Sequence, residues 1–396
     1  MNTIREVVVA SGVRTAVGDY GGSLKGFAPT DLAARVVTES LARASVAPEE
    51  VGHVVFGNVI HTESKDMYLS RVAAMNGGIP KEVPAMTLNR LCGSGLQAIV
   101  SAAQIIALGD ADIAVAGGAE SMSRSNYWLP TARWGTKMGD QALVDVLLGA
   151  LSDPFEGMHM GVTAENVAEK YGLTRDEQDA FSLESHRRAA NAIEKGWFDE
   201  QILPIEVRER KATRQFKTDE HVRNDVTEEN LAKLRAVFKK DGTVTAGNAS
   251  GINDGAAAVV LMDRATADKR GIQPLARLVA YGHGGVEPGL MGLGPIPAVN
   301  SAMSKAGLKV SDMDVIESNE AFAAQACAVA KDLGFDPAKT NPNGGAVALG
   351  HPVGATGCII SVKALYELQR IGGKYALATM CIGGGQGIAA IYERMT

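Results

Sequence analysis

The sequence predicts an α/β protein whose sheets are covered on both faces, with a more polar stretch inserted between two related α/β parts. Three observations carry that expectation. Apolar strand-like runs alternate with amphipathic helical runs toward both ends of the chain, the pattern of buried sheets. Glycine is abundant at 45 residues while hydrophobic content is 46 %, which points to tight turns and close backbone packing and excludes disorder. The two flanking parts also repeat one order of elements. At 396 residues the chain has room for two or three domains.

Residues 7–10 (Val-Val-Val-Ala) read as a buried strand and 31–43 as an amphipathic helix. Residues 51–59 read as a strand and 95–108 as a helix rich in Ala, Ile and Leu. Residues 113–116 follow as a strand ending at Gly117-Gly118. From about 121 to 251 the chain turns polar and helical. Between 205 and 240 stand ten Lys/Arg and seven Asp/Glu, which fits a solvated surface or a region that meets an anionic ligand. Alternation then resumes, with strands at 257–262, 276–281, 315–318, 375–380 and 388–393 and helices at 298–306 and 354–369.

The internal repeat is positional. Residues 44–58, ending in Asn58, resemble 306–319, ending in Asn319, with one residue fewer. Cys92-Gly-Ser-Gly opens a helix that leads to Gly109-Asp110 and a strand. His351-Pro-Val-Gly opens one that leads to Gly372-Gly373 and a strand. The expected organisation is 1–121, completed by 252–273, then an inserted lobe 122–251, then 274–396.

The net charge of −6 and pI near 5.7 argue against a nucleic-acid partner. No window approaches the ~18 uninterrupted apolar residues of a membrane span. The N-terminus lacks the pattern of a secretory signal, and Glu393-Arg-Met-Thr is not a peroxisomal address. Cys92, Cys327, Cys358 and Cys381 lack metal-ligand spacing. They are expected to be free thiols in a reducing compartment, the cytoplasm, with no metal.

Four segments carry chemistry. In Leu88-Asn-Arg-Leu-Cys92-Gly-Ser-Gly a thiol precedes a helix, where free N–H groups and the dipole favour thiolate. The help matters, because a thiol of pKa about 8.5 is only ~3 % ionised at pH 7. The same segment fits a buried core cysteine. Asn343-Gly-Gly-Ala-Val-Ala-Leu-Gly-His351-Pro-Val-Gly-Ala-Thr-Gly is a shaped loop around a histidine, the natural base for a thiol or else a turn residue bonded to backbone. Met380-Cys381-Ile-Gly-Gly-Gly-Gln-Gly places a thiol at a strand end among N–H groups able to form an oxyanion hole. In Ser318-Asn319-Glu-Ala-Phe, Asn319 caps the next helix or holds a water.

These segments, in this order, resemble the thiolases: Asn89-Arg-Leu-Cys-Gly-Ser-Gly, Asn319-Glu-Ala-Phe, Gly350-His-Pro-Val-Gly-Ala-Thr-Gly and Cys381-Ile-Gly-Gly-Gly-Gln-Gly. Gly117-Gly-Ala-Glu-Ser-Met-Ser and Thr245-Ala-Gly-Asn-Ala-Ser-Gly also fit. The resemblance runs end to end and is nearest to the short-chain biosynthetic type, the acetyl-CoA acetyltransferases and bacterial β-ketothiolases of fatty acid metabolism and polyhydroxyalkanoate biosynthesis. It implies two βαβαβαββ halves in five αβαβα layers with an inserted loop domain. It implies reversible condensation of acetyl-CoA with a short acyl-CoA, through an acyl group on Cys92. His351 would take the thiol proton, and Cys381 would be the second acid/base. One oxyanion site would use His351 and a water on Asn319, the other the N–H groups of Cys92 and Gly383.

Coenzyme A and acetyl-CoA are implied as substrates, with no permanently bound cofactor. The implied contacts are His159, Met160, Arg223, Ala246, Ser250 and Gly251, with Met291, Ala321 and Phe322 near the pantetheine end. Residues 123–143, with Tyr127, Trp128, Leu129, Trp134 and Met138, are buried under their own subunit or, as the resemblance implies, form the contact of a homotetramer, a dimer of dimers. Cys358 and Cys327 are expected in the core.

Three other readings compete. A ketoacyl synthase would use two histidines and lack Cys381. A lipid-transfer scaffold would lose one of Cys92, Asn319, His351 and Cys381. A degradative thiolase for longer acyl chains would keep all four, and His159-Met160 favours the short-chain type.

Overall fold

A computed structural model describes residues 4–209 and 212–395. The terminal residues 1–3 and 396, and the basic residues Arg210 and Lys211, lie outside the described residues. The first part of the chain builds β1 (Val7–Thr15), α1 (Pro29–Arg43), β2 (His53–Gly57), α2 (Leu69–Asn76), β3 (Ala85–Leu88), α3 (Ser94–Leu108) and β4 (Ile113–Ser121). The lobe that follows carries α4 (Met160–Tyr171) and α5 (Arg175–Glu194). The chain then returns as β5 (Asn253–Asp263), β6 (Ala276–Gly285), α6 (Pro295–Ala306), β7 (Val315–Ser318), α7 (Ala323–Leu333), α8 (Val353–Ile371), β8 (Tyr375–Ile382) and β9 (Gln386–Arg394).

The sheet order is β7-β8-β9-β6-β1-β5-β4-β2-β3. It divides at the short β1–β6 ladder, which holds only Val8↔Arg277 and Val9↔Ala276. On each side the strand order is the same. A parallel pair, β2–β4 or β7–β8, is followed by antiparallel pairing to β5 and β1 or to β9 and β6. The counterpart of β3 in the second half is marked by a single parallel bridge, Ile316↔Thr340.

Alternation along the strands explains the layers, because a strand buried on both faces sends successive side chains to opposite cores. In β8, Ala376, Ala378 and Met380 face the central core while Leu377 faces an outer one. The central core packs α3 and α8 between the half-sheets through Leu96, Ile99, Ile106, Ile359, Val362 and Leu365. One outer core sets α1 and α2 on the first half-sheet, and the other sets α6 and α7 on the second. The result is five layers, helix–sheet–helix–sheet–helix.

Two local expectations change. Strand β4 does not stop at Gly117-Gly118 but runs on to Ser121. The glycines are there for close approach. A Cβ on Gly117 would lie 2.2 Å from the Ala257 carbonyl, and one on Gly118 would lie 2.2 Å from the Gly354 carbonyl. The stretch Leu91–Leu108 is apolar and long enough to match a membrane span. Packing overrides composition, since α3 is one of the two helices buried between the half-sheets.

Within the lobe, Thr174 and Glu177 form a reciprocal capping box that starts α5. His159 caps α4, its Nδ1 accepting the Gly161 N–H at 3.0 Å. Residues 127–144 project as a hairpin end in which Trp134 is 88 % and Met138 91 % exposed, so burial under the same subunit does not occur.

Candidate active site

A cavity of about 430 Å³ lies where both halves meet the lobe. Cys92, His351, Cys381 and Gly383 all line it, as do His159, Met160, Arg223, Ala246, Ser250, Gly251, Met291, Ala321 and Phe322. Asn319 does not. It sits behind His351, with Nδ2 3.5 Å from the imidazole Nε2, longer than an ordinary hydrogen bond.

The Cys92 turn is built by its neighbours. Leu91 adopts a left-handed φ of 44°, a conformation that costs an L-residue energy. It is held there by Asn89 Oδ1, which accepts the Leu91 N–H at 2.8 Å, and by Ser94 Oγ, which donates to the Leu91 carbonyl at 2.7 Å. The backbone N–H groups of Gly383 and of Cys92 itself are directed at the Cys92 sulfur. Burial nevertheless pushes the thiol up to about 11, and the nearby Glu120 carboxyl adds to the rise. The expectation that the helix start alone favours thiolate is therefore corrected: desolvation outweighs the N–H groups.

His351 opens the loop into α8. Its backbone N–H donates to Asn253 Oδ1 at 2.8 Å. Nδ1 lies 2.7 Å from Thr356 Oγ, and that hydroxyl donates to the Pro352 carbonyl at 2.9 Å. With its proton so placed, Thr356 can only accept, so Nδ1 carries the imidazole hydrogen and Nε2 is left as the lone-pair nitrogen. Burial pushes the imidazole down to about 4, so it is neutral at pH 7. Cys381 ends β8, fully buried, and burial with Cys92 close by pushes its thiol up. The free protein thus holds two thiols and one neutral base.

The lobe supplies the other wall. Ser250 N–H donates to the Ala321 carbonyl at 3.0 Å and Ala323 N–H to the Asn248 carbonyl at 2.8 Å, docking one loop on the other. Phe238 stacks on His159, ring centroids 4.7 Å apart. Sequence reasoning missed Phe238, Val237, His221, Met122, Ala150 and Leu151, all of which line the cavity. Their only sequence signal is apolar or aromatic character inside a polar lobe. Of the described cations between 205 and 240, Arg223 alone lines the cavity. Lys233 pairs with Glu229, and Lys239 donates to Asn166. The basic character of that stretch is therefore mostly a solvated surface.

Glu120 was also missed as an individual. It is buried and accepts four N–H groups: from the Asn58 amide and Val59 and Ile60 at 3.0 Å each, and from Gly354 at 2.8 Å. A Cβ on Gly354 would lie 2.4 Å from Glu120 Oε2, so the glycine three residues after His351 makes room for this carboxyl. Of the remaining cysteines, Cys358 is fully buried in the central core. Cys327 is only half-buried: it packs against a small core cluster with Ala324 and Ala328 and also lines a separate cleft beside Glu320 and Phe335.

A paired-sheet fold thus brings two thiols and a histidine onto one cavity. The chain matches the thiolase N-terminal domain over residues 7–265 and the thiolase C-terminal domain over 272–394; it belongs to the thiolase family. It is 66 % identical over 392 residues to beta-ketothiolase BktB of Cupriavidus necator, covering 99 % of this chain and 100 % of that one. It is 51 % identical over 398 residues to an acetyl-CoA acetyltransferase of Syntrophomonas wolfei, covering 99 % and 100 %. The crystal structure of human mitochondrial 3-ketoacyl-CoA thiolase in complex with CoA superposes with a TM-score of 0.96 at 47 % identity, covering 100 % of this chain and 99 % of that one.

Proposed function

We propose that the chain is a β-ketothiolase, an acetyl-CoA C-acyltransferase that condenses acetyl-CoA with a short acyl-CoA and runs the reverse thiolysis. The observation that carries this is the meeting of Cys92, Cys381 and the neutral His351 on one cavity. The proton account closes with these three groups. Cys92 gives its proton to His351 Nε2 and attacks the acyl carbon. The departing CoA thiolate takes the proton of Cys381, leaving Cys92 acylated and Cys381 as thiolate. Cys381 then removes a proton from the α-carbon of a second acetyl-CoA. The enolate attacks the acyl carbon, Cys92 leaves as thiolate, and it recovers its proton from His351. A thiolate is thus formed only when the reaction supplies somewhere for its proton to go, which fits the raised thiols of both cysteines.

The tetrahedral oxyanion on Cys92 is held by the N–H groups of Cys92 and Gly383, and the enolate oxygen by protonated His351 and a water held by Asn319. Coenzyme A lies along the lobe, its pantetheine against Met160, Met291, Ala321 and Phe322, which form one apolar cluster with Cys381. Arg223 faces a phosphate. The exposed hairpin end with Trp128, Trp134 and Met138 is the contact surface of a homotetramer. Charged substitutions at Trp128 and Trp134 should lower the mass measured by light scattering, and an unchanged mass removes that role.

The test of the activity is mass spectrometry after incubation with acetyl-CoA alone. The wild type should gain one acetyl group on Cys92, and Cys92→Ser should gain none. Acetylation that survives the substitution, or that maps to another residue, overturns the assignment.

A further inference from the structure

A small chamber of about 20 Å³ is lined by Gly350, Asn319 and Thr356, neighbours of His351. One water needs roughly 10–15 Å³ and two to four polar partners. The chamber is lined by Asn319 and Thr356 at the catalytic end and by Glu317, Lys363 and Arg14 at the other, with Ser318 between. Each of these side chains is at most 4 % exposed.

The hydrogen-bond inventory of this chamber is incomplete in a specific way. Arg14 directs four of its five N–H bonds to Gln201, the Thr15 carbonyl and Asp219. Thr356 is committed to His351 and Pro352. Lys363 Nζ donates to Glu317 Oε2 and to the Gly344 carbonyl, each at 2.7 Å, which uses two of its three N–H bonds. Three buried lining atoms lack a partner: the acceptors Glu317 Oε1 and Asn319 Oδ1, and the Ser318 hydroxyl, which alternation along β7 turns to the opposite face from Glu317. A single water can donate to the two lone acceptors and accept the spare Lys363 N–H.

We infer that Glu317 and Lys363 hold a water that fixes the Asn319 amide from behind, making Glu317 a positioning residue for the carbon–carbon step. With Oδ1 tied back into the chamber, Nδ2 is turned toward His351 Nε2 and holds the water that serves the enolate oxygen. Without that tie the amide is free to present its oxygen instead, an acceptor where a donor is needed. The inference rests on the proposed division of labour, in which Asn319 serves the enolate and the N–H groups of Cys92 and Gly383 serve acylation.

That division gives a test that simple loss of structure does not mimic. In Glu317→Gln, acetylation of Cys92 by acetyl-CoA, followed by rapid-quench mass spectrometry, should stay within about twofold of wild type. Turnover in acetoacetyl-CoA thiolysis should fall about tenfold or more, because one preorganised donor to the enolate is lost. The KM for CoA should not change. Since Glu317→Gln leaves Lys363 buried without its counter-charge, Glu317→Met/Lys363→Met serves as the second variant: it removes the pair and both water partners while keeping apolar volume. It should show the same split. Equal losses in both half-reactions, or unchanged thiolysis in the double variant, overturn the inference. If wild type itself shows no acetyl group on Cys92, the proposed function fails and this inference fails with it.

Discussion

The two halves of the molecule place different side chains at the same point of the same ladder. In the first half β2 and β4 pair Gly57 with Gly118, and in the second β7 and β8 pair Ser318 with Thr379. Counting on from those pairs, Asn58 corresponds to Asn319 and Glu120 to Cys381. In the first half the two side chains close on each other, the Asn58 amide donating to Glu120 Oε1 at 3.0 Å while the same carboxyl gathers three backbone N–H groups. In the second half no such bond forms. Asn319 Oδ1 has no partner, and Cys381 opens into the cavity. The position that makes a clasp in the first half leaves, in the second, a thiol facing the cavity, where the proposed acid/base role needs it.

The comparison breaks or sharpens under substitution at the paired positions. The largest effect on turnover is expected from Cys381→Ala. Condensation should fall by about a thousandfold, within the range of general acid–base contributions, while Cys92 is still acetylated. Near-normal condensation refutes the role. Stability, read by urea midpoint, should change by no more than about 1–2 kcal/mol, the cost of removing one small buried group.

Glu120→Ala should do the opposite. Stripping the acceptor from four N–H groups should cost roughly 3 kcal/mol or more, with activity lost largely through loss of folded protein. If Glu120→Ala proves stable but inactive, the contrast between a structural Asn58–Glu120 pair and a chemical Asn319–Cys381 pair collapses.

The smallest effect concerns pH. The folded-state pKa of His351, about 4, lies below its ordinary 6.5. Its contribution to stability is therefore whole above pH 6.5 and is lost as pH falls toward 4. By pH 4.5 the wild type should have lost about 2–3 kcal/mol to this group alone. His351→Asn should lose that much less between pH 7 and pH 4.5, and parallel acid limbs for the two proteins contradict the burial argument.

Much of the chemistry was legible because it is written in contiguous, glycine-rich runs. Cys92, His351 and Cys381 each announce themselves by residue type and by the helix or strand end beside them. The strands too were legible where both faces are apolar, as in Val315–Ser318, whose bounds match the expectation. What escaped depends on contacts between distant segments. Gly117 and Gly118 look like a strand terminus, yet their role is set by the Ala257 carbonyl on β5 and the Gly354 carbonyl on α8. Glu120 gives no local sign that it will collect donors from residues 58–60 and 354. Glu317 and Lys363 look like surface charges in amphipathic runs, and only the packing of α8 against β7 shows them as a buried pair.

The pairing of β1 carries a consequence for how the chain is made. Val7 pairs with Asp263, and the whole of β1 runs along β5 from there. A strand synthesised almost first must wait for a neighbour that leaves the ribosome some 250 residues later. At about 5–20 residues per second, that is a delay of roughly ten to fifty seconds. Through that interval the first half-sheet has an open edge, and the lobe emerges before the sheet that will carry it is closed. The polar, locally charged sequence of the lobe is then the part of the nascent chain that faces the cell while Val7-Val-Val-Ala waits unpaired, a period in which edge-to-edge aggregation is the chief hazard.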